Sequence, residues 1–325
     1  MEILYLSRRD VESLKISMKE VLEVVDRGFL LKGLGKAEMP PKRGIHPRAN
    51  AFIHAMPAYV KEADIAGFKW VSGYPSNMDK GLPYITGLLA LNDPETGIPM
   101  AVMDCAWITA VRTGASVGVS AKYLARQGSR AVAILGCGIQ ARMSLRALAE
   151  TLPNLSQVQC YDLYPEAARR FIEEMSLLYP KFNMVACLTP AEMIEHADVV
   201  VTAIPIVTDP RPPLHAGMLE EGGLAVSLDY DSAWDSAAMK ECAKFVSDDV
   251  EQLLATKKEG IYFSGIPKSI YADLGELAAG VKPGRQNERE KIFSMNMGIA
   301  VDDMVTAKIV YDRALQKGIG TRWPL

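Results

Sequence analysis

The sequence predicts an α/β fold: a doubly wound parallel sheet, joined to a second, α+β unit built from both ends of the chain. Three observations predict it. From Ala131 to about Asp249 short apolar runs alternate with amphipathic stretches. The first of these runs ends in a glycine turn, Leu135-Gly136-Cys137-Gly138-Ile139-Gln140-Ala141. The residues before it read instead as strands punctuated by Gly, Pro and Asn. The expected boundaries put residues 119–299 in the doubly wound unit and residues 1–118 and 300–325 in the other.

In chain order, Met18 to Leu31 has the spacing of an amphipathic helix, and Phe52–Met56, Ile65–Val71 and Ile85–Leu91 that of strands. Leu91 to Met100 reads as a hairpin turn, which implies an antiparallel sheet. A long helical stretch, Thr109 to Arg126, leads into the second unit. There the buried strands are Val132–Leu135, Gln157–Tyr161, Met184–Leu188, Val199–Ile204, Leu224–Leu228 and Phe245–Val246. Helices are expected over Glu166–Leu178, behind Pro165, and over Ala191–His196, behind a Thr189 cap and Pro190. Glu288 to Gln316 reads as a last helical stretch, interrupted near Gly298, that returns to the first unit.

A chain of 325 residues, 49% hydrophobic and 23% charged, is long enough for two cores. Its formal net charge of −3, with the cations dispersed, offers no broad basic face to nucleic acid or an acidic membrane. No apolar stretch approaches the ~20 residues of a membrane span, and Met1-Glu2-Ile3-Leu4-Tyr5 lacks a signal-peptide layout, so a cytoplasmic protein is expected. Five scattered cysteines without a CxxC pair read as small buried hydrophobes. His46, His54, His196 and His215 have no partners at ligand spacing, and no metal site is expected.

The glycine turn carries a specific chemistry. Gly136 permits the tight turn, Gly138 lets backbone approach a pyrophosphate, and Ala141 lets the helix pack close to the strand. The helix start presents free N–H groups to the phosphates. The next strand delivers Asp162 at its carboxyl end, where a carboxylate accepts from ribose hydroxyls and repels a 2′-phosphate, favouring NAD(H) over NADP(H). The competing reading is a strand–turn–helix whose glycines serve packing alone.

Four further places suit substrate chemistry. Met39-Pro40-Pro41-Lys42-Arg43 holds two cations behind rigid prolines, or is solvated surface. In Phe68-Lys69-Trp70, period two sends Lys69 to one face of a strand and the aromatics to the other, and such a lysine needs a partner. Arg112-Thr113-Gly114-Ala115, near a helix start, suits a carboxylate, the phosphates of a cofactor, or the surface. Asp229 follows a strand at the carboxyl end of the sheet, where it is an acid/base candidate or a turn residue, and Asp231 and Asp235 are candidate helix caps. His54, in a strand before Ala55-Met56-Pro57, is either a ligand contact or a structural histidine.

These motifs, together with Met56-Pro57-Ala58, Lys80-Gly81-Leu82-Pro83 and the late segment from Asp273-Leu274-Gly275-Glu276 to Gly284-Arg285, resemble the ornithine cyclodeaminase/mu-crystallin family over nearly the whole chain. Within it, the stretch from Asn92 to Arg126 is most similar to the archaeal-type alanine dehydrogenases. The resemblance implies a homodimer joined through the substrate domains, a Rossmann unit carrying NAD, and a small amino or imino acid as substrate. It implies that Lys42 or Arg43, Lys69 and Arg112, with His54, contact the substrate, and that Asp229 is the acid/base with Lys69 beside the chemistry. Cofactor contacts are implied for Arg112, Thr113, Gly136, Cys137 and Gly138. Others are implied for Ile139, Gln140, Asp162, Ala203, Ile204 and Asp229.

The implied reaction moves hydride between Cα of an amino acid and NAD, with Asp229 activating water on the iminium, or runs in reverse as imine reduction. In a cyclodeaminase the substrate's own distal amine attacks instead. A protein that binds NAD and a small molecule without turnover is the remaining alternative. Cyclodeaminases carry a glutamate, and the alanine dehydrogenase type an arginine, where this chain has His54. Tyr230-Asp231-Ser232-Ala233-Trp234 stands where the family has Gly/Cys-Pro-Gly-Lys, and Phe293-Ser294-Met295-Asn296 replaces its usual Phe-Asp-Ser. A bulky Tyr230 or Trp234 beside Asp229 is expected to remodel the substrate site.

Overall fold

A computed structural model describes residues 1–325. In chain order the elements are β1 (Glu2–Leu6), α1 (Arg8–Ser13), α2 (Met18–Gly33), β2 (Ala37–Glu38), β3 (Arg43–Ile45), β4 (Phe52–Val60), β5 (Ile65–Gly73), β6 (Ile85–Asn92), β7 (Pro99–Asp104) and α3 (Ala106–Leu124). There follow β8 (Ala131–Leu135), α4 (Ile139–Thr151), β9 (Gln157–Tyr161), α5 (Pro165–Leu178), β10 (Asn183–Ala186), α6 (Pro190–Ile194), β11 (Val199–Thr202), β12 (Leu224–Ser227), α7 (Ser236–Lys240) and β13 (Lys244–Ser247). The last are α8 (Val250–Lys258), β14 (Ala272–Asp273), α9 (Leu274–Ala278), β15 (Ile292–Met295), α10 (Ala300–Lys317) and β16 (Thr321–Pro324).

The chain divides into two compact units, Met1–Arg112 with Ile299–Leu325, and Thr113–Gly298. The cut falls inside α3, ahead of the expected residue 118, for a local reason. Arg112 is held by Asp303 of the first unit, whereas Ser116 of the second accepts from the Asn296 side-chain amide.

The first unit is an eight-stranded sheet in the order β16-β1-β7-β6-β5-β4-β2, with β3 also on β4. The expected β6–β7 hairpin and β4–β5–β6 antiparallel run are present, while β1 joins β7 in parallel. Period two sorts the side chains. Met56, Lys69, Val71, Leu89 and Met103 lie on a covered face, and α10 lies across β4 and β5. Phe68, Trp70 and Leu88 stand on the other face, 42%, 42% and 50% exposed. α2 forms as its periodicity predicts: a Ser17–Glu20 capping box starts it, and Val21, Val25 and Phe29 line its buried stripe against α10.

The second unit is an all-parallel eight-stranded sheet, β10-β9-β8-β11-β12-β15-β13-β14, of Rossmann type. The chain leaves β8 for β9 and β10 on one side and returns to β11 and β12 on the other, which puts the switch point at the carboxyl ends of β8 and β11. The expected helix from Glu288 is overturned in its first part: Ile292–Met295 is the fully buried strand β15, inserted between β12 and β13. Three apolar residues and a serine show no clear period of their own, and only sheet partners distant in sequence make them a strand. No helix is long and apolar enough to cross a membrane.

Candidate active site

The turn after β8 has the geometry that its glycines suggest. Gly136 sits at φ +88°, and a Cβ there would lie 2.6 Å from the Ala203 carbonyl oxygen, so only glycine fits between the ends of β8 and β11. Gly138 is the N-cap of α4 and gives the helix no side-chain cap, leaving the N–H groups of the first turn for a ligand. Gly138 and Ile139 are exposed, Cys137 is buried, and the Gln140 side-chain oxygen is buried without a partner. Asp162, just past β9, accepts from the Cys137 N–H at 2.8 Å and from the Tyr164 N–H at 2.9 Å. The carboxylate is thereby held beside the turn. These residues fit a dinucleotide, with phosphate at the start of α4 and ribose at Asp162.

Asp229 follows β12 and is fully buried. Thr202 Oγ1 donates to its Oδ1 at 2.9 Å, and the Ile204 N–H donates to its Oδ2 at 3.0 Å. Ser227 Oγ lies 2.8 Å from the same Oδ1. Burial pushes the carboxyl up to about 6, against the downward pull of these hydrogen bonds. The result is a carboxyl that gains and loses its proton near neutrality. Ala203 and Ile204, partly buried, form the adjoining exit from β11.

The first unit gathers charge around one acid. Lys69 Nζ donates to Asp303 Oδ1 at 2.7 Å, and Arg112 Nε donates to the same oxygen at 2.9 Å. All three side chains are buried, while Arg112 Nη1 and Asp303 Oδ2 have no partner. Two cations against one carboxylate leave an excess positive charge out of water, a state that an incoming anion relieves. Burial first, and the Arg112 charge second, lower Lys69 to about 8, with Asp303 opposing. Lys69 thus has the partner that its strand position demanded. Asp303 escaped the sequence reading: Asp302-Asp303 in a helix's first turn looks like ordinary dipole compensation.

A sequence profile described as the ornithine cyclodeaminase/mu-crystallin family matches residues 1–318. The chain belongs to that family. It is 38% identical to an alanine dehydrogenase of Archaeoglobus fulgidus, an alignment covering 99% of this chain and 98% of the relative. Among solved structures it is similar to a Thermococcus litoralis Δ1-pyrroline-2-carboxylate reductase in complex with NADH and L-proline. That similarity has 38% identity, a TM-score of 0.88, and coverage of 98% of this chain and 99% of the other. An archaeal alanine dehydrogenase dimer with bound NAD gives 36% identity, a TM-score of 0.87 and full coverage of both chains.

Not every residue expected of a member of the ornithine cyclodeaminase/mu-crystallin family reaches the Lys69 cluster. Lys42 and Arg43 part company. Arg43 is exposed, and its register partner Ala55 faces the same side as Trp70, opposite to Lys69; the Lys42 charge is felt at His54. Arg43 is therefore not brought to the Lys69 cluster. His54 is half-buried, stacked on Phe52 at 4.3 Å, and faces Gly44 of β3, where a Cβ would lie 2.3 Å from its ring. Burial first, then the charges of Lys42, His46 and Lys69, lower it to about 3, so its ring is neutral. Arg112 sits in the second turn of α3, not at the helix start, and Thr113 follows it, partly buried.

The bulky pair after Asp229 lies in the core rather than at a substrate site. Trp234 is a core residue, 1% exposed and edge-on to Phe293, and Tyr230 packs its ring against Tyr262 and Phe263. Neither ring is available to reshape a substrate site. Asp235 caps α7 by accepting from the Ala238 N–H, whereas Asp231 accepts from the Phe263 N–H.

Proposed function

We propose that the protein is an NAD(H)-dependent oxidoreductase that moves hydride between the nicotinamide and Cα of a small amino acid or its imine. The observation that carries this reading is Asp229, a buried carboxyl poised at about 6 at the carboxyl end of a strand in a dinucleotide-type sheet. NAD, when bound, supplies the hydride acceptor or donor. Gly136, Cys137, Gly138, Ile139 and Gln140 cradle its phosphates, Asp162 takes the ribose, and Ala203, Ile204 and Thr113 border it.

Arg112 and Lys69, aligned by Asp303 and assisted by Lys42, bind the substrate carboxylate; the free Arg112 Nη1 supplies the second prong of a charge-assisted pair. Holding that carboxylate fixes Cα for the transfer. Ionised Asp229 takes a proton from the water that adds to the substrate iminium, and in reverse the protonated acid returns it. Because Asp229 is fully buried, this role requires the Ile204 N–H contact to open.

Neutral His54 next to the Lys42 charge disfavours a distal ammonium, which favours amino-acid oxidation or imine reduction over cyclodeamination. The reading places the enzyme in the cytosol, in keeping with five free cysteines, as a homodimer paired through the face that carries Phe68, Trp70 and Leu88. A panel of small amino acids with NAD⁺, and of cyclic and acyclic imino acids with NADH, followed by nucleotide absorbance and ammonia release, tests it. Net nucleotide turnover is expected. Ammonia without net NADH would replace it with cyclodeamination, and silence on both sides would overturn turnover altogether.

A further inference from the structure

The Asp229 carboxyl touches a hydroxyl that has more acceptors than hydrogens. Ser227 Oγ lies 2.8 Å from Asp229 Oδ1 and 2.7 Å from the carbonyl oxygen of Tyr230. A serine hydroxyl has one hydrogen to give, and neither a carboxylate nor a carbonyl can return one. Both contacts are hydrogen bonds at once only when Asp229 is protonated: its Oδ1–H donates to Ser227 Oγ, and the Ser227 hydroxyl donates to Tyr230. When Asp229 is ionised, the serine hydrogen turns to the carboxylate and joins the donors from Thr202 and Ile204.

We propose that Ser227 is a positioning residue whose hydroxyl rotates between the Asp229 carboxylate and the Tyr230 carbonyl, so that Asp229 Oδ1 keeps Ser227 Oγ as a hydrogen-bond partner in either protonation state. The chain proton count is unchanged by the rotation; only the proton on Asp229 is exchanged with the reaction. The carbonyl is well placed for this, because Tyr230 adopts a left-handed conformation at φ +59° that folds the chain back over Ser227. Asp229, Thr202 and Ser227 are all 0% exposed, so bulk solvent cannot substitute for the missing hydrogen.

Charge does not compete with this arrangement. β12 is flanked by β11 and β15, and none of the three strands carries an ionisable side chain; nor do residues 203–207. Of the ionisable neighbours in sequence, Tyr230 packs its ring on Tyr262 and Phe263, and Asp231 accepts from the Phe263 N–H at 2.8 Å. Burial, opposed by hydrogen bonds, sets the Asp229 titration.

The inference rests on Asp229 as the acid/base of the proposed reaction, and its test separates the two. In the full-length protein, infrared difference titration of the protonated carboxyl band, with Asp229→Asn as the blank, reads the Asp229 pKa without turnover. Ser227→Ala is expected to raise it by about one unit, tenfold in the dissociation constant, because a bond to the anion is stronger than one to the neutral acid. Ser227→Thr, which keeps the hydroxyl, restores the wild-type value. Should the alanine variant not fold, Ser227→Cys, with a weaker donor, gives a smaller rise. An unmoved titration in the alanine or cysteine variant, or equal rises in alanine and threonine variants, overturns the inference. If the infrared pKa rises while the acid limb of kcat stays in place, Ser227 does govern the proton but Asp229 is not the acid/base.

Discussion

At the residue scale, the behaviour of Asp229, the proposed acid/base, has a definite sign with pH. Its folded pKa, about 6, lies above the ordinary value of 3.8, so the protonated acid is the form favoured by folding. That contribution is complete below about 3.8 and is lost as pH rises through 6. In the proposed mechanism oxidation needs the ionised form, so kcat in that direction should rise with pH through about 6 and then level. Asp229→Asn should remove that limb and lower kcat by about 10²–10⁴, while NADH binding, read by fluorescence titration, is retained. Comparable loss of both would assign Asp229 to cofactor binding instead. Asp229 was legible as a candidate because an acid at the end of an apolar strand is conspicuous. Thr202 and Ser227, which pull its proton affinity down against burial, were not, since a small hydroxyl inside an apolar strand looks like filler until its partner is known.

At the scale of elements, β5, α3 and α10 meet in the Lys69–Asp303–Arg112 cluster. Removing the acid leaves two buried cations uncompensated. Asp303→Asn should destabilise the protein by about 3–5 kcal/mol in urea at pH 6. Without Asp303, Lys69 loses its proton below the wild-type value of about 8 while the unfolded lysine keeps it. Stability of the variant therefore rises with pH where that of the wild type does not yet change, and the gap should narrow between pH 6 and 8. A gap independent of pH would mean that Lys69 is neutral in both. Here the sequence showed one strand lysine in need of a partner. It could not name an aspartate 234 residues away, because helix α10 reaches Lys69 only after both chain ends have folded together. The misread start of that same stretch, strand β15, has a like cause: its neighbours in the sheet, not its own pattern, decide it.

At the scale of the whole molecule, the open face of the first sheet bears on assembly. Phe68, Trp70 and Leu88 expose apolar surface on adjacent strands, and in the proposed homodimer a second copy covers it. Trp70→Glu should weaken self-association by about 2 kcal/mol, roughly thirtyfold, in sedimentation velocity. An unaltered sedimentation coefficient would place the interface elsewhere.

The sequence by itself determined the Rossmann unit, the glycine turn with an acid ending the next strand, and the two-faced strand of Lys69, because each is written in local periodicity or a short motif, while the family came from resemblance of motifs spread along the chain. Tertiary structure alone decided that Asp303 joins Lys69 to Arg112 and that Arg43 faces away from them. It also decided that Trp234 and Tyr230 are core and that Ser227 Oγ lies against both Asp229 Oδ1 and the Tyr230 carbonyl. Those outcomes depend on register and burial between distant segments, and a chain read one neighbour at a time does not contain the free energy of such contacts.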